Sequence, residues 1–350
     1  MGALKHTPLF AAETADGAKM TPVRGWSLPA YYPGGALGEH RHTRSGCSLF
    51  DLSHLGKYRI AGTGAVSALD RALTVPCAAL ETGECRCGFA LNETGGVLGD
   101  VLVLRMADED FFIVSAADLA PVWRERLPET LEVQDLSEPL AMLALCGPEA
   151  ERTLRELVEE TAARPGAYRH TMLALDDFRC ITARVVFAGE TEYRFFCRAD
   201  AAPELWDFLL EAPGIRPAGM AARHSLRIEA GVPAFPDELN PAHTPLDCGL
   251  DIDLSRDFVG AAALRNAKPR RQLKLVKFAG RSAPLPGAAV AAPSGETVGR
   301  VTGGAFCPSA GAALAFCDLD AAFPAPEGAA VTSGALSGVV TAPLSNLRNQ

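Results

Sequence analysis

The chain has 350 residues, 48% of them hydrophobic, and a formal net charge of −9 at pH 7. An acidic balance with no Lys/Arg-rich run argues against nucleic acid and anionic membranes as partners, and no stretch reaches the roughly 18 consecutive apolar residues of a membrane span. The start, Met1-Gly2-Ala3-Leu4-Lys5-His6, lacks an apolar leader core, and ten cysteines are scattered without pattern; the expectation is a cytoplasmic protein with reduced thiols and two or three domains.

In chain order, Glu39-His40-Arg41-His42 could place two imidazoles on one strand face, but no third metal ligand is evident and surface histidines are expected. His54, after the apolar pair in Asp51-Leu52-Ser53-His54, reads equally as a hydrogen-bonded core histidine. Gly62-Thr63-Gly64 opens an expected helix over 64–74, yet no third glycine follows at the spacing a nucleotide loop needs. Cys85-Arg86-Cys87 is too tight for a two-residue zinc knuckle.

Next comes a turn, Asn92-Glu93-Thr94-Gly95-Gly96, and an apolar run over 97–104 with one charge, Asp100. A second apolar run, Phe111-Phe112-Ile113-Val114, completes a hairpin of two largely buried strands. A carboxylate in such a strand must find partners or lose several kcal/mol to desolvation. Asp100 is therefore a hydrogen-bonded structural acid or a group kept for chemistry.

Helical spacing returns over 147–163, 201–212, 218–230 and 259–266. An internal echo links two units: Asp110-Phe111-Phe112, Asp118 and a helix with Trp123, then Tyr193-Arg194-Phe195-Phe196, Asp200 and a helix with Trp206. Two α+β halves, each with helices on one face of an antiparallel sheet, account for the echo. From Lys268 onward, short alternating runs split by Gly, Pro and Ser predict a compact β-barrel or sandwich. The expected class is α+β, with a core over 1–267 and a C-terminal domain over 268–350.

Six segments carry a resemblance. They are Gly25-Trp26 with Pro29 and Tyr31-Tyr32; Leu49-Phe50-Asp51-Leu52-Ser53-His54-Leu55-Gly56; the turn and strand from Leu91 to Asp100; the stretch from Arg216 to Gly231; Asp257-Phe258-Val259-Gly260; and Gly303-Gly304-Ala305-Phe306-Cys307-Pro308. In this order the chain resembles the glycine cleavage T-protein (aminomethyltransferase) family. The resemblance implies two α+β sub-domains around a central folate channel and a C-terminal β-barrel. It also implies transfer of an aminomethyl group from a lipoylated carrier (H-type) protein to tetrahydrofolate, with release of ammonia. Asp100 falls on the family's catalytic aspartate, which would orient the folate amine and stabilise positive charge. Arg223 falls on a folate-holding arginine, and Leu55, Cys87, Ser115, Phe187, Arg194 and Phe235 fall on cofactor-binding positions.

The chain departs from that family where the pterin should sit. The pterin-binding glutamate is replaced by Arg194, two tyrosines by Phe187 and Cys87, an asparagine by Ser115, and the aspartate after Arg223 by His224. A carboxylate accepts from the amino-pyrimidine edge of a pterin, whereas a guanidinium only donates. Two alternatives follow: a non-catalytic folate-binding or regulatory paralogue, or a folate-dependent demethylase with another methyl donor.

Overall fold

The computed structural model describes residues 3–116, 118–158 and 164–342. Two antiparallel-dominated sheets form the centre. One has six strands in the order Arg169–Leu175, Phe178–Phe187, Glu190–Arg198, Leu140–Cys146, Cys47–Asp51, Ile215–Pro217, with only the last pair parallel. The other has five, all antiparallel: Cys85–Leu91, Val97–Ala107, Asp110–Ser115, Gly56–Ala61, Glu132–Asp135.

Period-two alternation sorts the side chains of these strands into layers. On Val97–Ala107, Val101 and Val103 pack with helices Ala65–Ala72 and Ala120–Arg126, where Trp123 is buried. Leu102 and Leu104 turn the other way, onto Phe50, Met142, Ala183 and Phe196 of the six-stranded sheet. Phe112 and Phe196 meet edge-on across that layer at 5.0 Å, a favoured aromatic geometry. The far face of the six-stranded sheet is covered by Ala150–Leu157 and Ala202–Glu211, the latter burying Trp206. The echo is thus two sheet–helix layers packed sheet to sheet. The expected helix over 147–163 is observed as Ala150–Leu157, and 159–163 lie outside the described residues.

The C-terminal strands close a six-stranded barrel, in the order Arg271–Phe278, Ala312–Asp320, Thr297–Cys307, Ala289–Ala291, Ala330–Ser333, Leu336–Thr341. It docks on the core through Glu238, whose Oε2 accepts from Arg227 at 2.6 Å and whose Oε1 accepts from Thr302 at 2.8 Å.

One expectation is corrected. Glu39-His40-Arg41-His42 lies in the helix Gly35–Ser45, not on a strand, and His40 is fully buried. Its ring meets Ser225 Oγ at 2.8 Å and Glu229 at 3.2 Å, so polar partners replace the apolar neighbours that ordinarily advertise burial. Among the described residues no cluster of three metal-ligating side chains occurs, and no helix is long and apolar enough to cross a membrane.

Candidate active site

The layer between the sheets is apolar along most of its length and becomes charged at one end. Asp100 sits on the same face of its strand as Leu102 and Leu104, two and four residues before them. The turn that delivers it is locked locally. Asn92 Oδ1 accepts from the amides of Thr94 (3.0 Å) and Gly96 (2.8 Å), and a Cβ on Gly96 would meet Pro241 O at 2.0 Å. Only glycine allows that close approach.

Asp100 is half-buried, and its Oδ1 is sealed with no hydrogen-bond partner. Burial pushes its carboxyl above the ordinary range, against the pull of its own amide, Arg24, Arg194 and the Ala116 amide. Arg24 bridges Ala116 O (3.1 Å) and Phe235 O, with its guanidinium 5.7 Å from the Phe235 ring centre. Strand register sets Ser115 opposite both Val101 and Gly56. Asp100 and the His54-Leu55 turn therefore flank the same end of Asp110–Ser115. His54 Nδ1 is also buried without a partner, and burial, helped by Arg24, Lys57 and Arg223, lowers the ring to about 3. The imidazole is neutral at physiological pH.

The facing sheet contributes Glu192 and Arg194, two residues apart and so on one face of Glu190–Arg198. Glu192 is fully buried. Arg223 grips it with Nη1 at 2.7 Å and Nη2 at 3.2 Å, and Arg194 Nε reaches it at 2.7 Å. Burial alone would raise this carboxyl; the two guanidiniums overcome that and hold it at about 2. The Arg223 guanidinium also lies 3.6 Å from the Phe187 ring centre and 5.2 Å from that of Phe50. Arg44 ties this hairpin to the helix Met220–Glu229, bonding Glu190 (2.8 Å), Ala188 O (2.6 Å) and Glu229 (2.9 Å).

Cys87 is open to solvent. Burial pushes its thiol up, with Arg194 pulling down and Asp100 and Glu192 adding to the rise. Asp100, Cys87, Arg194, Arg223 and Phe187 thus gather at one end of the layer between the sheets. Leu55 packs at the edge of the inter-sheet core, Ser115 is buried at the end of its strand, and Phe235 connects through Arg24. Sequence reasoning missed Glu192 and Arg24; His54, read there as a possible hydrogen-bonded core histidine, is buried but its Nδ1 has no partner. Glu192 carries a usable signal: a carboxylate spaced two residues from an arginine in a run of strand-forming residues.

The family model "GCVT N-terminal domain" matches residues 9–257. An aminomethyltransferase of Rubrobacter xylanophilus is 36% identical over 324 residues, spanning 89% of this chain and 86% of its own. The chain belongs to the aminomethyltransferase family. A Thermotoga petrophila aminomethyltransferase is 32% identical over 92% of this chain and 94% of its own. The crystal structure of glycine cleavage system aminomethyltransferase T from Bartonella henselae superposes with a TM-score of 0.87 at 29% identity, over 97% of each chain. The barrel and the paired sheets are therefore features of the aminomethyltransferase fold.

Proposed function

We propose that this chain moves an aminomethyl group from the dihydrolipoyl arm of a carrier protein to tetrahydrofolate, releasing ammonia, in a reducing cytoplasmic setting. The single observation carrying this reading is Asp100: a desolvated carboxylate with one unpaired oxygen, in a chain of the aminomethyltransferase family. The orphaned Asp100 Oδ1 and His54 Nδ1 are groups that a nitrogen-rich ligand satisfies, so the residues present fit a folate.

Tetrahydrofolate, when bound, supplies the secondary amines that accept the one-carbon unit. Asp100 accepts a hydrogen bond from an amine N–H and favours positive charge arising beside it, in a site where water is largely displaced. Its raised affinity for a proton suits it to receive one. Arg24 and Arg194 keep that proton from being held permanently, since both favour the ionised form. Leu55, Phe187 and Phe235 supply apolar walls, and Cys87 and Ser115 supply small ones. Arg223, fixed by Glu192 and stacked on Phe187, is a rigid cation at the rim.

The test is single-turnover assay of the purified chain with an aminomethyl-loaded lipoyl carrier and tetrahydrofolate, reading ammonia and methylenetetrahydrofolate together. Folate binding without either product would sink the transferase reading and leave a binding paralogue.

A further inference from the structure

The turn that delivers Asp100 rests on a loop that the barrel holds. The Val97 amide, at the start of the strand Val97–Ala107, is shared by Asn240 O (3.0 Å) and His243 O (3.1 Å), and Asn92 Nδ2 reaches Pro241 O at 3.1 Å. The pairing with Cys85–Leu91 slips at the same place: Leu91 faces Val97 and Ala90 faces Gly99, which leaves Leu98 as an extra residue. Such a bulge re-aims the side chains that follow it, and a slip of one residue would turn Asp100 to the other face. The aim of Asp100 therefore depends on how firmly segment 240–243 holds Val97.

That segment is pinned by the buried ring of His243. Nδ1 lies 2.9 Å from Asn240 Oδ1, and the Ala242 amide donates to the same oxygen at 3.0 Å, which identifies it as an acceptor. Nε2 lies 3.2 Å from Asp318 Oδ2 on the barrel strand Ala312–Asp320. Burial alone would raise the Asp318 carboxyl, but bonds from His243 and Arg271 hold it below the ordinary range, so it too is an acceptor. Two facing acceptors need two ring N–H donors, and only the imidazolium has both. The other charged groups around the pair are Arg271 (2.8 Å from Asp318 Oδ1), Arg300 (3.7 Å from Oδ2) and Asp247, whose oxygens accept from Thr244 and from the amides of Arg270 and Arg271. Among the described residues Asp318 is the ring's one ion-pair partner. We propose that His243, held as an imidazolium between Asn240 and Asp318, is a positioning residue through which the barrel fixes the aim of Asp100. The kinetic part of this inference rests on the transfer reaction proposed above; the protonation of the ring does not.

The test begins with nitrogen NMR of the full chain labelled at its histidines, His243 being assigned by the signal lost in His243→Gln. At neutral pH both ring nitrogens of His243 should carry protons, and Asp318→Asn, which removes the counter-charge, should leave a singly protonated ring. A singly protonated ring in wild type would overturn the pin. His243→Gln keeps a donor for Asp318 but loses the charge and the second N–H. In single-turnover assays it should transfer at least about tenfold more slowly, as a misaimed reacting group does, while its calorimetric affinity for tetrahydrofolate stays close to wild type. Thermal unfolding gives the folded fraction to which the rates are referred. A merely structural histidine would lower stability and leave the rate per folded molecule unchanged; that result, or a loss of rate matched by a loss of affinity, would overturn the positioning role. Absence of transfer in wild type would overturn the transfer reading and the positioning role together, while a doubly protonated ring would still stand on its own spectrum.

Discussion

Asp100 and Glu192 lie on facing sheets and project into one layer, yet the protein treats their carboxyl groups in opposite ways. Glu192 is sealed from solvent and saturated: two arginines supply three close donors, and its affinity for a proton falls to about 2. Asp100 borders open space, keeps one oxygen unpaired, and is pushed upward by burial. Two carboxyls whose surroundings drive them apart mark a division of labour. On the function proposed above, the first fixes the architecture of the site and the second is the carboxyl left for chemistry.

The largest expected effect breaks the fixed half. Glu192→Ala strands Arg223 and Arg194 without their counter-charge, and unpairing a buried ion pair costs about 3–5 kcal/mol. Urea unfolding should show that loss; a change below about 1 kcal/mol, the value of a surface pair, would mean Glu192 is not the keystone. Its pH signature follows from the depressed value. Glu192 contributes stability above its ordinary 4.5, and that contribution disappears as pH falls from about 4.5 to about 2. Glu192→Gln should remove this acid limb. Breaking the other half does the reverse. Asp100→Asn should leave stability unchanged or slightly higher, because it removes an unpaired charge, while turnover drops about a hundredfold or more. Comparable loss of fold in both variants would erase the distinction between the two carboxyls.

The layers of this fold were legible because they obey simple periods. The two continuous apolar runs, 97–104 and 111–114, exposed the hairpin and the anomaly of Asp100, and the repeated tryptophan-bearing helices exposed the two halves. The barrel was legible save for one strand. Strand Thr297–Cys307 went unnoticed because Gly299, Gly303 and Gly304 weaken its signature. Packing requires those glycines: a Cβ on Gly299 would meet Asp318 O at 2.2 Å, and one on Gly304 would meet Ala315 Cβ at 2.8 Å. The site was legible through single positions but not as a network. Arg194 was visible as a charge reversal, whereas its partner Glu192 matters only through Arg223, which arrives from a helix 31 residues away. Pairings of that kind depend on tertiary placement, which no local period encodes.

A smaller effect sharpens the role of the rim. Phe187→Leu removes the aromatic face under Arg223 but keeps an apolar side chain, so about 0.5–2 kcal/mol of cation–π stabilisation should vanish. Because Glu192 still holds Arg223 by two bonds, folate affinity should fall several-fold and the fold should survive, as calorimetry and thermal unfolding can report. An undiminished affinity would assign Phe187 to the core alone.

The effect smallest in turnover concerns Glu13, which separates an orphaned oxygen from a functional one. Like Asp100, Glu13 has an unpaired buried oxygen, Oε2, and burial, reinforced by Asp51, raises it to about 9. Unlike Asp100 it is wholly sealed, on the inner face of the helix Phe10–Ala15 and against Tyr32, whose hydroxyl lies 3.3 Å from Oε1. A raised folded value means that its stabilising contribution is complete below about 4.5 and is lost as pH rises toward about 9. Glu13→Gln replaces a protonated carboxyl by a neutral amide. The variant should gain on wild type steadily across that window in urea unfolding, with little change near pH 5 and no change in turnover at neutral pH. Parallel stability curves would show Glu13 to be ionised in the fold. If Glu13→Gln flattens the alkaline limb without touching catalysis while Asp100→Asn abolishes catalysis, then desolvation alone does not make an active-site acid. What sets Asp100 apart is that it reaches the edge of the inter-sheet layer, where Glu13 is wholly sealed.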